Sequence, residues 1–314
     1  MDVEGGGAAV ASTLIKLVGG PTYPIRWPIY SRLGLVRAAI KFQKATKWAE
    51  SQGLDGIVDI YNTPPPPGNI RRAAYIHSPI GFGTWWCKMA SDVWGPARWR
   101  RHWFHHWMGG RHIGGCICIT NSQWLAKYVE LHDPASVTVV NPPCRVDVPD
   151  PPSEGRAKQA ISIGRLMPDK GHDRAARICK AAGYPCHVYG WGQVPSDHYG
   201  LVPGAIRPNM PYDAIYEVSR QAKAFVSGCY TEDFGISCVE AVANGCIPVG
   251  PDRLGFRETV PCDELRYADE AEAACILKDV MDGVYDYTMP KLRQHVLQYT
   301  PERFADGIRR ALGV

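Results

Sequence analysis

The chain has 314 residues, of which 45% are hydrophobic and 21% charged, a composition typical of a folded globular protein and unlike that of a disordered or fibrous one. At about 100 to 200 residues per domain, this length predicts two domains. No stretch approaches the roughly 18 uninterrupted apolar residues of a membrane span, and acidic Asp2 and Glu4 stand where a secretory signal would be basic, so a cytoplasmic protein is expected.

Charge is unevenly distributed along the chain. Residues 1–150 carry 16 Lys and Arg against 10 Asp and Glu, whereas the remainder carries 19 against 21. We therefore expect the first part to meet an anionic partner such as a membrane surface, a phosphorylated ligand or nucleic acid. The eleven cysteines include no C-x-x-C pair, which favours buried reduced thiols over a disulfide framework.

The first part begins with a glycine triplet at 5–7 that runs into an apolar segment of helical character. An amphipathic helix is predicted over 35–52. Its apolar stripe contains Val36, Ile40, the aliphatic stem of Lys44, and Trp48. Four short apolar or β-branched runs bounded by Gly, Pro or Asn predict buried parallel strands at 56–61, 73–77, 115–120 and 137–140.

Prolines mark the boundary between two parts of the chain. The pairs at 142–143 and 151–152 cannot continue a helix or a central strand, so we predict domains at 1–153 and 154–314. A last helix at 301–314 could pack back on the first domain.

Strands and helices alternate beyond this boundary. The predicted strands are 160–164, 186–189, 224–227 and 247–250, and the predicted helices are 173–182, 211–221 and 236–244. This alternation indicates an α/β protein with a second βαβ domain, and hence two Rossmann-like domains that face a cleft.

Two loops of the second part carry the most informative residues. Glu232 follows a predicted strand, and Gly235 begins a helix that contains Glu240, so free amides at that helix start would hold a phosphate. Arg165 and Lys170 lie five residues apart in the loop after the first strand of this part. They offer one fork-shaped and one point-like cation for a diphosphate.

These segments resemble the retaining GT-B glycosyltransferases of family 4, whose hallmark is a Glu-x7-Glu pair in the C-terminal domain. Here the pair is Glu232 and Glu240, followed by AVANGCIPV. The resemblance includes the Gly-Arg…Lys-Gly loop at 164–171 and, in the first domain, shorter motifs at 5–7, 75–79, 120–122 and 140–142. The His-Ser-Pro and Asn-Pro-Pro segments look closest to mannosyltransferases of lipid-linked oligosaccharide assembly.

The resemblance implies a GT-B fold and a hexosyltransferase. The hexose, of mannose or glucose type, would pass from a nucleotide-sugar to a hydroxyl of a glycan or lipid-linked acceptor, with retention of anomeric configuration. GDP-mannose is favoured over UDP-sugars as donor, and no other cofactor is expected. The chain contains no Asp-x-Asp pair, so we expect catalysis without a metal. Met1 stands only four residues before Gly5, where a first strand is expected, so we expect either a reduced N-terminal domain without that strand or a true start upstream of Met1.

The resemblance also implies which residues hold the donor. Arg165 and Lys170 would bind the diphosphate and stabilise it as it leaves. Backbone groups that would help them belong to Gly164, Phe234, Gly235 and Ile236.

Other residues would contact the sugar and the ribose. Glu232 would hold sugar hydroxyls near the reacting carbon, and Glu240 would accept hydrogen bonds from the ribose. His77, from the opposite domain, would touch the sugar, although a structural histidine is the alternative. Gly6 and Gly7 would approach the donor phosphate or the acceptor, unless they belong to a flexible terminus.

A tryptophan-rich basic segment lies between residues 94 and 112. On a helix, Trp99, Trp103 and Trp107 would form a stripe beside Arg100 and Arg101, which suits an acceptor or membrane interface. The alternative is a core-facing stripe with a solvated basic flank. The stripe allows peripheral contact on the cytoplasmic membrane face. The histidines and cysteines that follow it lack regular zinc-ligand spacing, and nucleic-acid binding is not expected.

Two other functions share this architecture. A nucleotide-sugar epimerase would consume the donor without glycosylating an acceptor. A non-catalytic, membrane-associated sugar-nucleotide-binding protein would bind the nucleotide without turnover.

Overall fold

The structure is a computed structural model that describes residues 14–15, 44–59, 64–77, 112–150, 155–192 and 205–314. These residues divide into two compact units. Unit 1 contains the described residues of 1–142 together with 304–314, and unit 2 contains those of 143–303. The units therefore separate at Pro142/Pro143, before the predicted boundary at 153/154, and the last turns of the C-terminal helix cluster with unit 1.

Unit 1 contains a parallel sheet of four strands in the order β1-β2-β3-β4. The strands are β1 (Gly56–Asp59), β2 (Arg71–Ile76), β3 (Ile117–Thr120) and β4 (Ser136–Val139). Helix α1 (Ala45–Ser51) precedes the sheet, and helix α2 (Gln123–Glu130) lies between β3 and β4 in sequence. All four predicted strands of the first part are confirmed. Apolar side chains without water contact, such as Ile76 and Leu125, form their core.

The predicted stripe of the 35–52 helix is wrong where the structure describes it. Helix α1 buries Ala45 and Ala49, whereas Lys44 is exposed and Trp48 is only partly buried. The reason is close packing: the buried Thr46 hydroxyl donates a 2.6 Å hydrogen bond to the carbonyl of Pro66, and small side chains let the helix approach that proline-rich segment. Val36 and Ile40 lie outside the described residues.

Helix α9 (Pro301–Leu312) closes the core of unit 1 with three residues spaced four apart, Phe304, Ile308 and Leu312. The Phe304 ring meets the Tyr75 ring of β2 edge-on, with the centroids 5.7 Å apart. At the helix end, the Arg71 guanidinium donates a 2.6 Å hydrogen bond to the Leu312 carbonyl, which would otherwise lack a partner.

Unit 2 contains six parallel strands. They are β5 (Ala157–Arg165), β6 (Cys186–Trp191), β7 (Ile206–Pro208), β8 (Ala222–Val226), β9 (Ile247–Pro251) and β10 (Arg266–Tyr267). The helices are α3 (His172–Ala182), α4 (Tyr212–Gln221), α5 (Ile236–Ala243), α6 (Phe256–Thr259), α7 (Glu270–Asp282) and α8 (Met289–Val296). The predicted strands and helices of this part are confirmed, with small changes at their ends. The structure adds β7, β10 and the helices α6, α7 and α8.

The strand order of unit 2 is β10-β9-β8-β5-β6-β7. Numbered within the unit, this is the Rossmann order 3-2-1-4-5-6, so the direction of winding reverses between β5 and β8. Ligands of such sheets bind beyond the carboxyl ends of the strands at this reversal. The loops that follow β5 and β8 are therefore the first place to look for a site.

These two loops touch through glycines. Gly171 precedes α3 in the left-handed region, with φ 62°, and faces Gly228 after β8. A Cβ on Gly171 would overlap the Gly228 carbonyl, and a Cβ on Gly228 would overlap the Gly171 carbonyl. Only glycine at both positions lets the two backbones come this close.

We expect Gly171→Ala to lower the free energy of unfolding of unit 2 by at least about 3 kcal/mol, since it adds a backbone overlap to left-handed strain. Gly183→Ala is the matched control: Gly183 follows the same helix with φ 82°, but its Cβ would meet no atom within 4 Å. It should cost about 1 to 2 kcal/mol. Urea unfolding of both variants checks this, and equal losses would contradict the packing account.

Candidate functional site

The loops after β5 and β8 bring opposite charges together. A 3-10 turn at Pro168–Lys170 follows β5, and the Lys170 Nζ lies 2.8 Å from the Glu232 Oε2 in the loop after β8. Both side chains remain 22% exposed, so a ligand can still reach them. Two residues predicted from different parts of the chain thus meet in one ion pair.

The electrostatics of the pair keep both groups charged. Burial alone would raise the pKa of Glu232, but the Lys170 ammonium, the Arg165 guanidinium and a hydrogen bond from the Gly235 amide outweigh it, and the pKa of Glu232 is lowered. Burial alone would lower the pKa of Lys170, yet the neighbouring Glu232 carboxylate raises it above its usual value. Arg165 and Lys170 thus both lie close enough to Glu232 to stabilise its charged form.

A buried histidine holds the loop that carries these cations. His172 is 1% exposed; its Nε2 lies 3.0 Å from the Arg165 carbonyl and its Nδ1 lies 2.9 Å from the Ser162 hydroxyl. A carbonyl can only accept, so Nε2 carries the proton and Nδ1 accepts from Ser162. Burial, with a smaller contribution from Lys170, lowers the pKa of His172 to about 4, so the ring is neutral at neutral pH.

This depressed pKa gives a pH dependence of stability with a defined sign. The unfolded chain binds a proton to His172 near pH 6.5, but the folded chain does so only near pH 4, so the stabilisation is complete above about pH 6.5 and is lost as the pH falls toward 4. We expect the loss to be about 3 kcal/mol. Urea unfolding between pH 4 and 7, compared with His172→Gln, isolates this group from the other histidines. If the free energy of unfolding of His172→Gln falls with pH as steeply as that of the wild type, the depressed pKa of His172 is refuted.

The start of α5 lies directly after the Glu232 loop. Gly235 caps the helix in the left-handed region with φ 99°, and its amide bonds the Glu232 carboxylate. The first amides inside a helix, here those of Ile236 and Ser237, have no acceptor within the helix and could meet an anion. The Phe234 ring points into the core, edge-on to the Tyr299 ring at 5.0 Å, so this residue can offer a ligand only its backbone.

Glu240 lies inside α5 in a different environment. Its Oε1 accepts from the Arg145 amide at 3.1 Å and its Oε2 accepts from the Tyr212 hydroxyl at 3.3 Å. Burial raises the pKa of Glu240 to about 7 despite these hydrogen bonds. The Arg145 guanidinium pairs with Asp213 at 2.7 Å and lies over the Tyr216 ring at 4.5 Å. The carboxylate therefore titrates near neutral pH.

Aromatic rings extend this environment. The Tyr212 ring stacks on the Trp191 ring at the end of β6, with the centroids 5.5 Å apart. Tyr216, which is 7% exposed, also lies near Glu240 and favours its ionised form. Its hydroxyl makes no hydrogen bond of normal geometry with any described residue.

In unit 1, the predicted motifs converge on the carboxyl edge of the sheet. The Asn121 side chain donates a 3.0 Å hydrogen bond to the carbonyl of His77, and the Asn141 side chain donates one of 2.9 Å to the Asn121 carbonyl. The His77 ring stacks near Tyr75, with the centroids 6.4 Å apart. This chain of bonds fixes the backbone of His77 at the end of β2. Its role toward a sugar stays a prediction.

Some predicted site residues lie outside the described residues. They are Gly6, Gly7, Trp99, Arg100, Arg101, Trp103 and Trp107. Of the predicted donor-binding residues in unit 2, Gly164 is buried in β5, whereas Arg165 ends that strand and is exposed.

Sequence reasoning missed several residues that build this site. His172 had no signal beyond following Gly171, and its two partners become visible only when β5 is placed beside α3. Arg145 stands in the proline-rich boundary, where the sequence indicated only a linker. Tyr212 was included in a predicted helix, and its approach to Glu240 is a long-range contact.

Two absences concern the described part of the chain alone. No group of three or more His, Cys, Asp or Glu side chains there could hold a metal ion, and the expectation of metal-independent chemistry stays a prediction. None of the helices within those ranges combines the length and apolar character that a bilayer crossing requires.

Comparison with known proteins bears on the site itself. Residues 147–268 match the model of the family described as glycosyl transferases group 1. The segment from β5 to β10 is thus similar to a glycosyltransferase group 1 domain. The matched segment includes Arg165, Lys170, Glu232 and Glu240. A search of curated protein sequences finds no significant match.

Solved structures support the fold across most of the chain. WaaG, a glycosyltransferase involved in lipopolysaccharide biosynthesis, is 13% identical with a TM-score of 0.64, and the match covers 96% of this chain and 95% of WaaG. Sucrose-phosphate synthase from Thermosynechococcus elongatus is 17% identical with a TM-score of 0.65, over 94% and 81%.

A TarM mutant from S. aureus, in complex with Fondaparinux, alpha-GlcNAc-glycerol and UDP, is 13% identical with a TM-score of 0.59. The match covers 78% of this chain but only 51% of TarM, so the chain spans about half the length of that protein. The α/β fold with parallel sheets is confirmed, and its structural neighbours are GT-B glycosyltransferases.

Proposed function

We propose that the protein transfers a hexose from a nucleotide-sugar to a hydroxyl of a glycan or lipid-linked acceptor, with retention of anomeric configuration and without a metal. The observation that carries this proposal is the Lys170–Glu232 pair at the winding reversal of unit 2, beside Arg165 and the start of α5. It lies inside the segment that matches the glycosyltransferase family.

The charges of the site suit departure of a nucleoside diphosphate. As the bond between the sugar and the phosphate breaks, negative charge grows on the diphosphate, and Lys170 and Arg165 would stabilise it. A charge-assisted hydrogen bond contributes about 1.5 to 3 kcal/mol, against about 0.3 to 1 for a helix dipole. The side-chain cations should therefore matter more to the rate than the start of α5.

The paired carboxylate has a separate task. Glu232 holds its charge through Lys170, and in the proposed complex it would accept hydrogen bonds from sugar hydroxyls while Lys170 turns toward the diphosphate. Donor binding would thus replace one anionic partner of Lys170, the Glu232 carboxylate, with another, the donor diphosphate. Glu240, with Tyr212 and the Arg145 amide around it, would accept from the ribose.

The identity of the donor and the acceptor belongs to the same proposal. GDP-mannose is the favoured donor, by resemblance to mannosyltransferases of lipid-linked oligosaccharide assembly. The TarM complex and a complex of the pneumococcal O-GlcNAc transferase GtfA both contain UDP, so a donor panel needs UDP-sugars as well. Peripheral membrane contact through the tryptophan-rich segment is proposed with the lipid-linked acceptor.

We expect Arg165→Ala or Lys170→Ala to reduce the transfer rate by tenfold to a hundredfold or more, at about 1.4 kcal/mol per factor of ten. The measurement is mass spectrometry of glycan and lipid acceptors incubated with GDP- and UDP-hexoses. Lys180→Ala is the matched control, since Lys180 is exposed near the end of α3. Near-ultraviolet circular dichroism confirms folding of each variant. An Arg165→Ala protein with undiminished transfer would refute the assignment, and donor consumption without a glycosylated product would favour an epimerase.

Glu240 should make nucleotide binding depend on pH. Its pKa of about 7 leaves the carboxylate mostly protonated at pH 6 and ionised at pH 8, and the ionised form accepts two ribose hydrogen bonds. We expect the affinity for GDP or UDP to rise about fivefold or more over this range, beyond any rise seen in Glu240→Gln. Calorimetric titration at pH 6, 7 and 8 measures both proteins. If the affinity for the nucleotide changes with pH equally in the wild type and in Glu240→Gln, Glu240 does not bind the ribose.

A further inference from the structure

A second cationic feature lies beside the Glu232 loop. The Tyr230 ring, two residues before Glu232, is in contact with two guanidinium groups: the Arg174 Cζ lies 3.7 Å from the ring centroid and the Arg253 Cζ lies 4.3 Å from it. Stacking on an aromatic face holds a guanidinium in place and leaves its planar edge of N–H donors available. The two arginines differ in what those donors meet.

Arg174 has two polar partners in addition to the Tyr230 ring. Its guanidinium donates to the Gly228 carbonyl and pairs with Glu270, whose carboxylate lies 3.4 Å away. It therefore ties the start of α3 to the loop after β8 and to α7. These contacts give Arg174 a structural role.

Arg253 has no such partners in the part of the chain that the structure describes. The side chain is exposed and makes no hydrogen bond or ion pair with any residue in the described ranges. The adjacent Asp252 is already used by two other arginines, with Arg257 at 3.0 Å and Arg266 at 2.8 Å. A guanidinium fixed on a ring, with its donor edge unfilled and the nearest carboxylate in sequence occupied elsewhere, is arranged to meet an external anion.

The backbone around Arg253 is held in one conformation. Leu254 adopts the left-handed region with φ 50°, which is strained for a side chain of its size. The next amide, of Gly255, donates a 3.1 Å hydrogen bond to the Glu232 carbonyl. The loop after β9 is thus anchored to the Glu232 loop, and the Arg253 guanidinium lies on the same carboxyl edge of the sheet as the Lys170–Glu232 pair.

We propose that Arg253, held on Tyr230, recognises a phosphate or carboxylate group carried by the transferred sugar or by the acceptor. This inference rests on the proposed function for the identity of the molecule that carries the anion. It concerns a group other than the donor diphosphate, which Arg165 and Lys170 would hold. The planar fork of Arg253 suits two-point contact with either anion, and the site would select charged substrates over neutral ones.

Two pairs of probes separate the two sources of the anion. UDP-glucuronate against UDP-glucose places a carboxylate on the transferred sugar. Glucose 6-phosphate against glucose, measured without nucleotide, places a phosphate on an acceptor-like sugar. We expect the charged probe of at least one pair to bind about tenfold tighter to the full chain, by calorimetry or ligand-observed NMR.

Variants then assign this preference to Arg253. Arg253→Gln should reduce the ratio of charged to neutral affinity to about one, and Arg253→Lys should retain part of it, because Lys keeps the charge but loses the fork. Arg257→Gln is the matched control, since it removes the same charge four residues away from a guanidinium that pairs with Asp252. It should leave the ratio unchanged, which excludes a general loss of positive charge.

The outcomes distinguish this proposal from the proposed function. Equal affinities within both pairs, or a charge preference that survives Arg253→Gln, would overturn the role of Arg253. Failure of the wild-type chain to bind UDP, GDP or any of their sugars would instead overturn the proposed function. In that case the glucose 6-phosphate pair still decides whether Arg253 binds anions.

Discussion

The site of unit 2 depends on one contact, the approach of two backbones at Gly171 and Gly228. These glycines let the loops after β5 and β8 touch without a side chain between them. The strand order makes β5 and β8 neighbours at the winding reversal, so both loops leave the same edge of the sheet. Lys170, next to Gly171, can therefore reach Glu232, four residues after Gly228, at 2.8 Å. A bulkier residue at either glycine would separate the two charges.

The two glutamates of this site have pKa values shifted in opposite directions. Burial acts on both, but Glu232 has Lys170 and Arg165 beside it and keeps a pKa below its ordinary value. Glu240 accepts from the Tyr212 hydroxyl and the Arg145 amide in place of such close cations, and its pKa rises to about 7. The difference follows from local chemistry: paired cations compensate the lost hydration of a carboxylate, whereas neutral donors do so only in part. At neutral pH, Glu232 is thus charged, whereas Glu240 titrates in that range.

The sequence predicted those parts of the fold that depend on local patterns. Apolar runs bounded by Gly or Pro located β1 to β6, β8 and β9, because buried parallel strands are apolar on both faces. Short strands such as β7 and β10 escaped, since two or three residues carry no pattern. Helix α7 was not predicted, although its start has a local signal. Asp269 is a favoured N-cap residue, and it caps the helix by accepting from the amides of Ala271 and Glu272. The apolar stripe predicted for α1 was wrong because the tertiary contacts of the helix, and not its hydrophobic period, decide which face is buried.

The same distinction applies to the site. Arg165, Lys170, Glu232 and Glu240 were found through motifs, since each lies in a predictable element or in the loop that follows one. The bond from His172 to the Arg165 carbonyl spans only seven residues but requires α3 to pack beside the end of β5. The contacts of Arg174 and Arg253 with the Tyr230 ring join elements far apart in sequence. Such contacts depend on strand order, which the alternation of strands and helices does not specify on its own. Motifs thus identified the charged groups, and the structure supplied the residues that hold them.

We expect Lys170 to exchange its bond with Glu232 for a bond with the donor diphosphate. The most direct measurement is a crystal structure of the full chain with bound GDP or UDP. We expect the diphosphate to lie beyond the carboxyl ends of β5 and β8, within hydrogen-bonding distance of the Lys170 ammonium and the Arg165 guanidinium, with Glu232 released from Lys170. A nucleotide bound elsewhere, or a diphosphate that leaves the Lys170–Glu232 pair intact, would contradict it.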